Sequence, residues 1–155
     1  MIRNLIAALL LCLAMSSLAM AANAPAMQLP PQPKDRPDGM PANAVMVSPC
    51  IAHMGEHWVA LKDWSVGPIY GTWQGKVIFS EIMVTKAQLD KGFNFDNLRP
   101  LPGHTINHVD LEYHPKGHPG LMVPHYDLHA YYIPHEAEMN ICPNGIKDPD
   151  QEMHD

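Results

Sequence analysis

In His125-Tyr126-Asp127-Leu128-His129 two imidazoles flank a carboxylate at alternate positions, and the phenol of Tyr131 continues the series. Aromatic and β-favouring residues fill the stretch between Pro124 and Pro134, which predicts a strand of about nine residues. Side chains alternate along a strand, so His125, Asp127, His129 and Tyr131 share one side, while Tyr126, Leu128, Ala130 and Tyr132 make the opposite, core-facing side. Such a polar row is either a solvated face or one wall of a metal or catalytic site. The rise of a strand puts the Cα atoms of His125 and His129 about 13 Å apart, too far for one ion unless the strand bends. His125 with Asp127, or Asp127 with His129, stand about 7 Å apart and suit a shared ion better.

Other donors lie far away in sequence. His53 and His57 are four residues apart and share a face whether their segment is helix or strand, so spacing leaves that choice open. Glu81 sits in Lys76–Val84, a stretch apolar on both faces, so its carboxylate should be partly buried and in need of a partner. Together these residues point to a mixed nitrogen and oxygen site with His57, Glu81, His125 and His129 as ligands. Asp127 and His53 are the alternative or supporting ligands. Imidazole with carboxylate suits a divalent ion such as zinc, copper or manganese, and geometry decides among them. Plainer roles compete: a solvent-facing histidine row, satisfied histidines beside Trp58, and a structural pairing of Glu81 with Lys76 or Arg99. His104, His108, His114, His118, His135 and His154 are read as exposed, and Met54, Met83 and Met122 as core filler. The zincin motif H-E-x-x-H, a phosphate-binding glycine loop and a G-x-S-x-G elbow are all absent.

The elements that must position these groups are mostly strands. Val45–Val47 is a short strand candidate. Gly67–Trp73 and Lys76–Val84 read as a hairpin turning at Gln74-Gly75. Thr85-Lys86-Ala87-Gln88 matches a capping box and predicts a helix from about Lys86 to Lys91, ended by Gly92. Thr105–Tyr113 alternates, with Val109, Leu111 and Tyr113 expected inward and His108, Asp110 and Glu112 outward. The loop at 114–120 then favours an antiparallel return into the His125 strand. The fold class is mainly β (α+β): a single antiparallel β-sheet domain, sandwich- or barrel-like, with one short helix.

Residues 1–21 carry the marks of a secretory signal peptide, with basic Arg3, an apolar run from Leu5 to Leu18, and the small-x-small site Ala19-Met20-Ala21. Residues 22–44 are proline-rich (Pro25, Pro30, Pro31, Pro33, Pro37, Pro41) and read as a flexible leader. Residues 45–143 form the single domain, and 144–155 an acidic tail expected to fray. Cleavage after Ala21 leaves roughly 134 residues, the size of one domain. It also leaves two of the three cysteines, Cys50 and Cys142, and in an oxidising periplasm or extracellular space these default to a disulfide. Sixteen acidic residues against ten Lys and Arg, a net charge of −6, disfavour nucleic acid and anionic membranes as partners. No later stretch is apolar and long enough for membrane insertion. A homo-oligomer is compatible with the chain, and no small-molecule ligand is named by it.

Four blocks in order carry a resemblance: Cys50-Ile-Ala-His-Met-Gly-Glu-His-Trp58, Ile69-Tyr-Gly71, Glu81-Ile-Met83 and His125-Tyr-Asp-Leu-His-Ala-Tyr131. The chain thereby resembles a family of small exported bacterial domains of unassigned function with the pattern C-x3-M-G-x-H-W, I-Y-G, E-x-M and H-x-D-L-H-x-Y. The resemblance implies one fold unit with a clustered polar site, placed by position at His57, Glu81, His125, Asp127 and His129; His53 falls at a variable place of the pattern. The leading expectation is an exported, soluble divalent-metal-binding protein serving sequestration, sensing or delivery. The alternatives are a metal-dependent enzyme acting on a small molecule, with Asp127 or Glu81 as general base, and a structural or oligomer-forming envelope protein without metal.

Overall fold

The computed structural model describes residues 28–147, except 65, 97 and 119–120. The signal-peptide pattern, the start of the leader, the end of the acidic tail and His154 lie outside the described residues. Six strands form one antiparallel sheet: β1 (Ala44–Ile51), β2 (Gly55–Ala60), β3 (Ile69–Trp73), β4 (Lys76–Thr85), β5 (His108–His114) and β6 (His125–Tyr131). Their order is β1-β2-β3-β4-β6-β5, so the first four make a meander and the last hairpin adds β6 inside and β5 at the edge. The sheet is open, and the expected sandwich or barrel closure is not what the strand order gives. The β3–β4 turn falls at Gln74-Gly75, both at positive φ (52° and 75°), as a two-residue hairpin turn demands.

Helix α1 (Lys86–Asp90) starts at the expected capping box. The Thr85 hydroxyl accepts from the Gln88 N–H, and the Gln88 side chain accepts in return from the Thr85 N–H. A second short helix, α2 (His135–Glu138), follows β6 and has no counterpart among the elements expected from sequence. It leads to Cys142, which is joined to Cys50 by a disulfide with Cα atoms 5.8 Å apart. Among the described residues no helix is long and apolar enough to cross a membrane.

Both segments flanking the domain have ordered contacts. Met40, within the stretch read as leader, is buried with Ala44, Trp58, Tyr70, Val77 and Leu101. The Gln32 side chain pairs with the backbone N–H and carbonyl of Met46. On the other side Ile146 exchanges backbone hydrogen bonds with Cys50 and Ala52.

Residues directly opposed in an antiparallel sheet face the same way, so the register defines rows across the sheet. One row is Val59, Ile69, Glu81, His129 and Asp110. The next is His57, Gly71, Phe79, Tyr131 and His108. Beyond Glu81 lie the rows Met83, Asp127, Glu112 and Thr85, His125, His114. One face of the sheet thus gathers the histidines and carboxylates of four strands.

This arrangement inverts the expected orientation of β5. Val109, Leu111 and Tyr113 are 53%, 65% and 42% exposed, while His108, Asp110 and Glu112 turn inward and His114 is buried. In β6 likewise the polar row is the deeper one: His125, Asp127 and His129 are at most 1% exposed, whereas Tyr126 and Leu128 are only half-buried. Alternation fixes which residues share a face but leaves open which face is inner. Here β5 must follow β6, whose polar row lies opposite Glu81 and Met83 of the central β4.

Candidate metal centre

The chain loops and strand ends bring two groups of metal-ligating side chains together on the inner face. The first is His114, His118 and Asp127, whose donor atoms all lie within 4.8 Å of one another. His118 Nε2 is 2.9 Å and His114 Nε2 3.3 Å from Asp127 Oδ2. His125 joins them, its Nε2 standing 3.2 Å from Asp127 Oδ1 and 3.0 Å from His118 Nε2. His125 Nδ1–H donates to the Val123 carbonyl at 2.6 Å, which aims its Nε2 into the group. Ligands held 2.0–2.1 Å from a tetrahedral zinc ion stand roughly 3.3 Å from each other, and these four contacts fall close to that spacing.

The second group is His57, Glu81 and His129, also within 4.8 Å of one another. Glu81 Oε2 is 3.8 Å from His57 Nε2 and 3.7 Å from His129 Nε2. Ser48 Oγ accepts the backbone N–H of His57 and stands 3.0 Å from its Nδ1, which turns Nε2 towards Glu81. Glu81 Oε2 and both ring nitrogens of His129 are buried with no hydrogen-bond partner. A fold seldom tolerates such atoms without a ligand or ordered solvent to satisfy them.

Phe79 dries this second group from behind. Its ring meets His57, His129 and Tyr131 edge-on, with centroids 5.5, 4.8 and 5.2 Å apart. The ring lies over Gly71, where a Cβ would come within 2.1 Å of it, so only glycine leaves room for this packing.

The electrostatics of the two groups differ. Burial raises the carboxyl of Asp127, but hydrogen bonds from His114, His118 and His125 outweigh it and hold Asp127 well below the usual range. Glu81 has no such donors. Burial first, then the carboxylates of Asp127 and Glu112, push it well above its ordinary value. Burial, with the neighbouring His129 and His118, lowers His57 to about 3, and burial also lowers His129. Burial thus disfavours charge on all three groups. Their 3.7–3.8 Å contacts are too long for hydrogen bonds.

Both groups open onto one cavity of about 320 Å³. His57, Glu81, His118 and Asp127 line it together with apolar walls that include Ile51, Trp64, Ile69 and Met83. Imidazoles with one or two carboxylates beside a partly apolar cavity are a donor set for a divalent transition metal, with room for a further ligand.

Of the residues singled out by sequence, His57, Glu81 and His129 meet in one group and His125 with Asp127 in the other, as the rise along β6 requires. His53 stands apart, in the turn before β2 at φ 68°, with its Nδ1 buried and unpartnered. His57 itself lies on a strand. The reading of His114 and His118 as exposed is corrected: His114 is 4% exposed and both contact Asp127. The signal for them was their place at the end of β5, opposite His125, and within the loop that follows it.

In fold, the chain is similar to the crystal structure of a hypothetical protein, TTHB210, from Thermus thermophilus. The TM-score is 0.53 at 22% identity, over 59% of this chain and 89% of that one. At that identity the likeness concerns the fold alone. No family model and no curated protein matches the sequence.

Proposed function

We propose that the protein is an exported binding protein for a divalent transition-metal ion, held on the inner face of the sheet. The observation that carries this is the convergence of His114, His118 and His125 Nε2 on the buried, ionised Asp127, with contacts of 2.9–3.3 Å. His118 and His125 Nε2 also face each other at 3.0 Å. Two facing ring nitrogens need a proton or a cation between them, and a single metal ion satisfies every one of these atoms at once. The neighbouring His57, Glu81 and His129 offer a second, drier position whose carboxyl would lose its proton on binding. Imidazole and carboxylate donors favour zinc, copper or manganese over calcium. Export is supported by the signal-peptide pattern of residues 1–21 and by the Cys50–Cys142 disulfide. Sequestration or delivery is the role such a site suits.

Titration of tag-free, chelator-stripped protein with each of these ions by calorimetry tests the reading. The expected result is stoichiometric binding tighter than about 1 μM for at least one ion, some 8 kcal/mol. Absence of any stoichiometric site would overturn it. The cavity favours a second reading, metal-assisted chemistry on a small molecule, because an ion held there keeps a face open to it. That reading requires turnover that disappears on chelation, whereas a binding protein shows none.

A further inference from the structure

A third cluster lies on the same sheet face but away from the cavity, at the join of β5 and α2. We propose that His108, Asp110, His135 and Glu138 form a separate, solvent-facing site for a divalent transition-metal ion of the zinc or copper(II) class. The four offer donor atoms that all lie within 4.8 Å of one another. Glu138 Oε1 is 2.5 Å from His108 Nε2 and 3.2 Å from His135 Nδ1. Asp110 Oδ2 is 3.8 Å from His108 Nε2 and 4.0 Å from His135 Nδ1. These distances bracket the roughly 3.3 Å edge of a tetrahedral zinc site.

The surroundings orient the donors. His108 Nδ1 lies 3.3 Å from Asn107 Oδ1, while its Nε2 faces the two carboxylates. The His108 ring is stacked on Tyr131, with centroids 4.9 Å apart and planes 5° from parallel. His135 stands edge-on to it. A lone pair 2.5 Å from a carboxylate oxygen is repulsive unless a proton or a cation lies between them. Among the described residues neither Asp110 nor Glu138 pairs with a lysine or arginine. Two carboxylates and two imidazoles therefore meet with no fixed positive charge to balance them.

The site is more exposed than the interior groups: the side chains of His135 and Asp110 are 74% and 31% exposed. An ion can enter there without any opening of the sheet, and water can complete its shell. An ion so held would tie α2 to the edge strand β5, a few residues before Cys142. The inference does not rest on the interior centre, since no residue is shared.

The test is equilibrium dialysis of the full, tag-free, metal-stripped chain against zinc and, separately, copper(II). Wild type, His135→Ala, Glu138→Gln and Asp127→Asn are compared, with circular dichroism checking that each is folded. His135→Ala and Glu138→Gln are each expected to bind one equivalent fewer, or to bind it at least about tenfold more weakly. Asp127→Asn is expected to keep that equivalent while losing an interior one. Exposed His135 tolerates truncation, so its variant stays informative if Glu138→Gln perturbs the helix. Equal stoichiometry and affinity in wild type, His135→Ala and Glu138→Gln would overturn the inference, leaving an imidazolium–carboxylate pair. Interior binding lost from wild type, with this equivalent retained, would instead count against the interior centre alone.

Discussion

Replacing Asp127 by Asn isolates the charge on which the interior centre depends. The exchange keeps the side chain's size at a site 1% exposed, but removes the negative charge and one acceptor oxygen facing His114, His118 and His125. Two unit charges about 3 Å apart at an effective dielectric near 20 attract by about 5–6 kcal/mol. Desolvation offsets part of this, and removing one member of a buried pair typically costs about 3–5 kcal/mol. The expected loss of metal affinity is therefore about two to three and a half orders of magnitude in Kd. Competition against a chromophoric chelator measures it, and calorimetry counts the equivalents. The metal-free protein responds too, because Asn keeps one acceptor oxygen and turns an amide N–H towards the imidazoles in place of the other, at about 1–3 kcal/mol. That difference has a definite pH signature. The folded pKa of Asp127 lies below its unfolded value of 3.8, so its contribution is complete above about pH 4 and disappears as pH falls through the folded value. Wild type and variant should thus differ in melting temperature at pH 7 and converge in acid. A variant that binds metal within tenfold of wild type, with the same stoichiometry, would refute the assignment of Asp127 as the anionic ligand.

Glu81→Gln should raise, or leave unchanged, the melting temperature of the metal-free protein at pH 8, because the folded protein disfavours an ionised Glu81. Its own contribution is complete below pH 4.5 and is lost as pH rises towards the raised folded value, so the variant's advantage should vanish at pH 4; a clear loss of stability at pH 8 contradicts this. His57, lowered from 6.5 to about 3, stabilises above pH 6.5 and loses that contribution as pH falls towards 3. Melts of metal-free His57→Gln should therefore fall less steeply than wild type between pH 6.5 and 4, and parallel curves would discard the assignment. Reducing the Cys50–Cys142 bridge, which spans a sequence separation of 92, should cost on the order of 4–5 kcal/mol by the chain-entropy argument. Urea unfolding with and without reductant measures this, and a difference under 1 kcal/mol would show that the unfolded chain is hardly constrained by it.

Local chemistry determined much of this protein. The turn at Gln74-Gly75, the capping box at Thr85 and the β-rich stretches each rest on conformational preferences of a few adjacent residues, and all are in place. Period-two alternation correctly grouped His125, Asp127 and His129 on one side of a strand, and the apolar setting of Glu81 announced its burial. The rise per residue set His125 and His129 too far apart to share an ion, but the single site expected from His57, Glu81, His125 and His129 is split between two groups. The tertiary structure alone decided which side became the interior. Pairing with the central β4 placed the polar row of β6 on the inner face and left Leu111 of β5 65% exposed. Register brought Glu81 opposite the distant His129 and, within the last hairpin, His114 opposite His125. Loop closure then carried His118 to Asp127. None of these contacts is encoded by a local preference, because each is the consequence of where strands pair.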